Sequence, residues 1–184
     1  LVVAAAVIGM IALGVWQLQR AEWKEGLLAR YRQAQTLSSD VPWPRDEAAM
    51  EDSLFRWSGF TCDRVLSVRS GAGTNAQGEK GWAHIARCVI DGGGEAEVAL
   101  GWSSAPDQPQ WSGGEVSGII APGGKAGGVL HAAQRPAGLQ PLATPDPSDL
   151  PNNHLAYAGQ WFFFAITAVV IYVLALRRRR GNRT

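Results

Sequence analysis

Residues 155–176, LAYAGQWFFFAITAVVIYVLAL, run for 22 positions without a formal charge. As an α-helix this stretch is about 33 Å long, close to the roughly 30 Å hydrocarbon thickness of a bilayer, so it reads as a transmembrane helix. Tyr157 and Trp161 stand near its start and Tyr172 near its end, where aromatic side chains settle at the two membrane interfaces. Arg177, Arg178, Arg179 and Arg180 follow at once. Basic flanks stay on the cytoplasmic side, which places the C-terminus in the cytoplasm and His154 at the outer interface.

Working outward, residues 1–18 (LVVAAAVIGMIALGVWQL) form a second apolar stretch of about one membrane thickness, with no small-residue cleavage site after it. A second span is the expectation, with a cleavable signal peptide as its alternative. Two spans put both termini on one side and the chain between them outside the lipid, in the periplasm or its organellar equivalent. Arg20, Lys24, Arg30 and Arg32 then lie on the outer side, partly offset by Glu22 and Glu25, and this weakens the charge rule without reversing it. Trp16, Trp23, Leu27 and Tyr31 recur at spacings of 7, 4 and 4, so the first helix is expected to continue through residues 19–37 at the interface. Ser38, Ser39, Asp40, Pro42 and Pro44 end it. The expected layout is a first span at 1–18, an interfacial extension at 19–37, an extramembrane domain at 38–153, a second span at 154–176 and a basic cytoplasmic tail at 177–184.

The middle of the 184-residue chain is rich in Gly, Pro, Ser and Asp and is of single-domain size. Short β-prone runs at 54–60, 65–69, 82–90, 97–102, 115–120 and 128–133 alternate with Gly71-Ala72-Gly73, Asp91-Gly92-Gly93-Gly94, Gly113-Gly114 and Pro122-Gly123-Gly124, which are turn chemistry. That pattern predicts an all-β antiparallel barrel or sandwich between the two transmembrane helices. None of the glycine clusters has the spacing of a nucleotide fingerprint, so hairpin turns are the better reading. A formal net charge of +1 excludes a general nucleic-acid binder, which needs a basic field over much of its surface. Cys62 and Cys88 fall in predicted strands and are either a disulfide between neighbours or two free thiols.

Catalytic signatures are missing from the sequence: it has no CxxC, HExxH or Gly-x-Ser-x-Gly. Of three histidines, His84 and His131 lie in predicted strands and read as packing residues. His154 stands at the mouth of the second span beside Asn152 and Asn153, with Tyr157 and Trp161 at i+3 and i+7 on one stripe and Gln160 on a neighbouring line. An ionisable group at membrane depth is a functional candidate, the bland reading being an interfacial histidine solvated by water and headgroups. The first span offers Gly9, Leu13, Trp16, Arg20 and Trp23 at helical spacing, and Gly9 and Gly14 would admit a close neighbouring helix. If the spans pair, Arg20 comes near His154. A neutral imidazole at iron, a guanidinium at propionates and covering aromatics such as Trp16 and Trp161 could then hold a haem. The alternative is an arginine snorkelling to headgroups and tryptophans anchoring the interface.

The stretches LGVWQLQRAEWKEGLLARY at 13–31 and PNNHLAYAGQWFFFAITAVVIYVLALRRRR at 151–180 resemble the signatures that flank the Surf1 (Shy1) family, and the two-span architecture agrees across the chain. Asn153-His154-Leu155 with Tyr157 and Trp161 carries the most specific part of the likeness, while Gly81-Trp82 and Gly101-Trp102 are similar in style to the family's middle segment. The resemblance implies a non-enzymatic assembly factor for aa3-type haem-copper cytochrome c oxidase, assisting insertion or stabilisation of haem a. Its implied partners are the catalytic subunit, other oxidase subunits and the lipid bilayer. The implied location is the bacterial or mitochondrial inner membrane, with both termini cytoplasmic. By that resemblance the haem role falls on His154 as iron ligand, with Trp161, Tyr157 and Arg20 beside it. A scaffold or retained accessory subunit that holds no cofactor is the alternative.

Overall fold

The computed structural model describes residues 1–37 and 39–181. Two compact units emerge: one holds Leu1–Ala29 and the chain from Leu150 onward, the other is Arg30–Asp149.

The first unit is built from helix α1, Val2–Gln35, and helix α3, His154–Gly181. Each contains an apolar window of membrane-spanning length, with mean hydropathy 1.9 and 2.0. Large side chains such as Ile8, Phe163, Ile166 and Ile171 are exposed, as lipid-facing positions are. Helix α1 runs without a break through residues 19–35. Its covered positions are Val3, Val7, Met10, Gly14, Gln17 and Ala21, alternating by four and three. Along α3 the same alternation gives His154, Ala158, Trp161, Ala165 and Ala168. A seven-residue repeat on both helices is the pattern of a left-handed antiparallel pair. The seam is lined with Gly and Ala, because without a hydrophobic force between helices in lipid, close packing is what holds them.

The second unit contains β1 (Val41–Pro42), α2 (Glu47–Ser53), β2 (Trp57–Thr74), β3 (Lys80–Ile90), β4 (Glu95–Ser103), β5 (Gly114–Pro122), β6 (Gly128–Ala132) and a 3-10 turn at Pro147–Asp149. The strands form one sheet in the order β1-β2-β3-β4-β6-β5, with β5 also pairing to β2. The expectation of an all-antiparallel barrel or sandwich is corrected here: β1–β2 and β4–β6 are parallel, and the mixed sheet folds back on itself without making a clear barrel. The physical reason lies in the connection 104–113. A meander would seat β5 beside β4; the long connection skips that place, and β6, the second arm of the β5–β6 hairpin, fills it running parallel to β4.

Strand β2 joins two predicted strands into one of 18 residues. Register shifts between Cys62 and Arg64 and between Val65 and Ser67 break its alternation, which is why it reads as two pieces. Its first part pairs with β5 and the rest with β3. Gly73 lies inside this strand, not in a turn, and a Cβ there would sit 2.7 Å from that of Ala83. The clusters at 91–94 and 122–124 do turn, with φ of 70°, 88° and 95° at Gly92, Gly93 and Gly94, whereas Gly113 and Gly114 open strand β5 with positive φ and make no turn. Helix α2 was not expected; Asp46 caps it by accepting from the Ala49 amide at 2.8 Å. The core is drawn from Ala86, Cys88, Ile90, Val98, Leu100, Ile120 and Leu130. Cys62 and Cys88 are joined as a disulfide, with Cα atoms 5.4 Å apart.

Candidate functional site at the paired helices

His154 is the first residue of α3, and its Nδ1 lies 2.8 Å from Oε1 of Gln17, one heptad-seam position beyond Gly14 on α1. With the amide oxygen accepting, Nδ1 donates this bond, and in the neutral imidazole Nε2 is then the nitrogen that keeps its lone pair. Among the described residues Nε2 has no hydrogen-bond partner. A histidine ring fixed through one nitrogen by an oxygen acceptor, with the other left open, is the arrangement found at histidine metal ligands. Close by in the chain, Asn152 has a buried Oδ1 with no partner. No group of three or more His, Cys, Asp or Glu side chains placed to hold a bare metal ion occurs among the described residues.

The seam below the histidine is tight. A Cβ on Gly14 would come within 2.6 Å of the Phe162 ring. Gly14→Leu is therefore expected to part the helices at a cost of about 1–3 kcal/mol. The check uses Gln17→Cys with His154→Cys and a short bifunctional thiol reagent, the native cysteines being already bonded to each other. Bridging should fall about tenfold when Gly14→Leu is added; an undiminished yield would show that the seam does not depend on this contact.

The residues expected to share the site are divided. His154 and Trp161 lie on the covered stripe of α3, with Trp161 edge-on to Phe164 at 6.3 Å. Tyr157 is 52% exposed. Trp16, 48% exposed, and Arg20 fall on a face of α1 turned away from its seam, where the Arg20 guanidinium stacks 4.6 Å over Trp23. Of the two glycines expected to admit a helix, Gly14 does so and Gly9 has open space around it. Gln17 was missed. Its signal was a polar amide three residues after a small residue, near the end of an apolar span.

The remaining histidines belong to the extramembrane unit. His131 lines a cavity of about 190 Å³ with Trp57, Arg135 and Thr144. Burial pushes its pKa below the usual histidine value, and the Ala143 backbone opposes this. His84 is fully buried.

A comparison with curated proteins returned no match. A family model, that of the SURF1 family, matches residues 4–166. That span takes in the first helix, the whole sheet and the start of α3 with His154, and the chain belongs to the SURF1 family.

Proposed function

We propose that the protein is an assembly factor for an aa3-type haem-copper cytochrome c oxidase, holding haem a at His154 during maturation of the catalytic subunit. The SURF1 family consists of cytochrome oxidase assembly factors rather than enzymes. The observation that carries the haem reading is the Gln17–His154 hydrogen bond, which orients the imidazole and leaves the Nε2 lone pair open to a metal. Haem a, if bound, would supply an iron centre that a neutral imidazole nitrogen can ligate. The chain's own part is to hold the ring tautomer, keep the helices paired and set the imidazole at the membrane's outer edge. Trp161 lies on the same stripe as His154 and offers aromatic cover, with Tyr157 exposed nearby on the helix, while Trp16 and Arg20 stand on the face of α1 turned away from the seam and are not part of this cover.

In this reading the chain crosses a bacterial or mitochondrial inner membrane twice, with its termini cytoplasmic and the sheet unit on the outer side. Arg177–Arg180 support that orientation, and the Cys62–Cys88 disulfide fits an oxidising compartment.

Coexpression with the haem a synthesis pathway, followed by purification in mild detergent, tests the proposal. Haem a should copurify with the wild type. It should be lost in His154→Ala with the sheet unit still folded, and be held about 10–100-fold more weakly in Gln17→Ala. Unchanged haem absorbance and stoichiometry in His154→Ala would remove this residue as ligand. A protein that never takes up haem yet brings oxidase subunits with it would be a scaffold.

A further inference from the structure

His84 of β3 is held between two serines. Its Nδ1 is 3.0 Å from Oγ of Ser70 on β2, and its Nε2 is 2.7 Å from Oγ of Ser103 on β4. Each hydroxyl also donates into the loop that follows β4: Ser70 to the Pro106 carbonyl at 2.8 Å, Ser103 to the Ala105 carbonyl at 2.6 Å. Among the described residues no other hydrogen bond reaches 104–112.

These four contacts need four protons. Two hydroxyls supply two, and a neutral imidazole supplies one. With His84 neutral, one serine must turn its proton to the bare ring nitrogen and let go of its carbonyl. An imidazolium donates from both nitrogens, and all four contacts close. We propose that His84 is a proton-operated latch, whose protonation fastens the loop 104–113 to the sheet and whose neutralisation frees Ala105 or Pro106.

The surroundings set the direction of the response. Burial lowers the His84 pKa from its ordinary value, and Asp107, a carboxylate on the latched loop itself, opposes that. Ser70, Gly101 and Ser103, its neighbours on the flanking strands, are uncharged, and Arg69 is turned to Glu97 at 3.4 Å. Fastening therefore sets in as pH falls through a value below that of free histidine. Global stability runs the other way. A histidine whose pKa is depressed by folding withholds its proton in the native state, so its stabilisation is present above the unfolded pKa and lost as pH falls. A loop that tightens on acidification while the fold weakens is the signature of the latch.

Amide nitrogen relaxation of the full chain in detergent micelles, followed from about pH 7 downward through the titration of the His84 ring, reads it directly. The population of detached 104–113 loop should fall about fivefold as the ring takes up its proton, the margin by which a charge-assisted hydrogen bond exceeds a neutral one. Ring-nitrogen NMR should show both His84 N–H groups at the acid end. Ser70→Ala is the discriminating variant: it leaves two contacts and two protons without any charge on the ring, so the loop response should vanish and His84 should titrate lower. A wild-type loop whose mobility stays constant while the ring titrates, or a response that survives in Ser70→Ala, would overturn the latch.

Discussion

The double replacement Cys62→Ala with Cys88→Ala is expected to cost the extramembrane unit about 3.5 kcal/mol, the loop-closure entropy of a cross-link spanning 26 residues. Against a typical domain stability of about 5–15 kcal/mol this is a large share. It corresponds to a fall of about 15–25 °C in the thermal midpoint for a unit of this size. The position sharpens the effect. Cys62 is the residue at which β2 passes from its β5 partner to its β3 partner, facing Gly114 on one side and Ile90 on the other. The bond thus staples β3 to β2 at the point where β2 leaves β5. Both sulfurs are buried, so alanine is the better probe; serine would add a buried hydroxyl in need of a partner. Unfolding of the full chain in detergent, with and without reductant, is the measurement. Coincident midpoints would mean that the bond contributes nothing to the fold.

How far these elements could be read without coordinates follows from the physics acting on each. The two long apolar helices were legible because a bilayer imposes both length and apolarity on any helix meant to cross it. The glycine runs at 92–94, 113–114 and 123–124 were legible because positive φ selects glycine. Gly73 has the same composition around it but a different cause, the close approach of Ala83, and a residue list does not separate the two. Parallel pairing of β4 with β6 was not legible, since it depends on which arm of a hairpin docks after a long connection. The bulges in β2 erase the alternation that would have shown one strand.

At the site, His154 stood out because an ionisable group at a span's mouth is costly unless used. Its partner did not. In a soluble helix the apolar stripe marks the packed face, but in a lipid-facing helix every face is apolar, so the stripe of Trp16, Arg20 and Trp23 was as plausible a seam as that of Gly14, Gln17 and Ala21. Only the direction in which α3 packs chooses between them.

The sheet's sharpest steric constraint is at Gly118. Its φ is ordinary, so conformation does not demand glycine there; space does. A Cβ would collide with the carbonyl oxygen of His131 and lie 2.8 Å from its carbonyl carbon and 3.2 Å from the Cα of Ala132. All three are backbone atoms of β6, pinned on one side by β5 and on the other by β4, and none can swing aside as a side chain would. Gly118→Val must therefore push β6 off β5 or β4, opening the register from Gly118–Ala132 to Pro122–Gly128. Displacing β6 also uncovers Leu130, which is wholly buried. Overpacking against fixed backbone together with lost core burial is expected to exceed about 3 kcal/mol. Gly71→Ala supplies the control in the same sheet: its nearest neighbour is an Arg69 nitrogen at 3.9 Å, so the change should stay within about 0.5 kcal/mol. Thermal unfolding of both variants, followed by tryptophan fluorescence, separates the cases. A Gly118→Val chain as stable as Gly71→Ala would show that β6 is not held where the register places it.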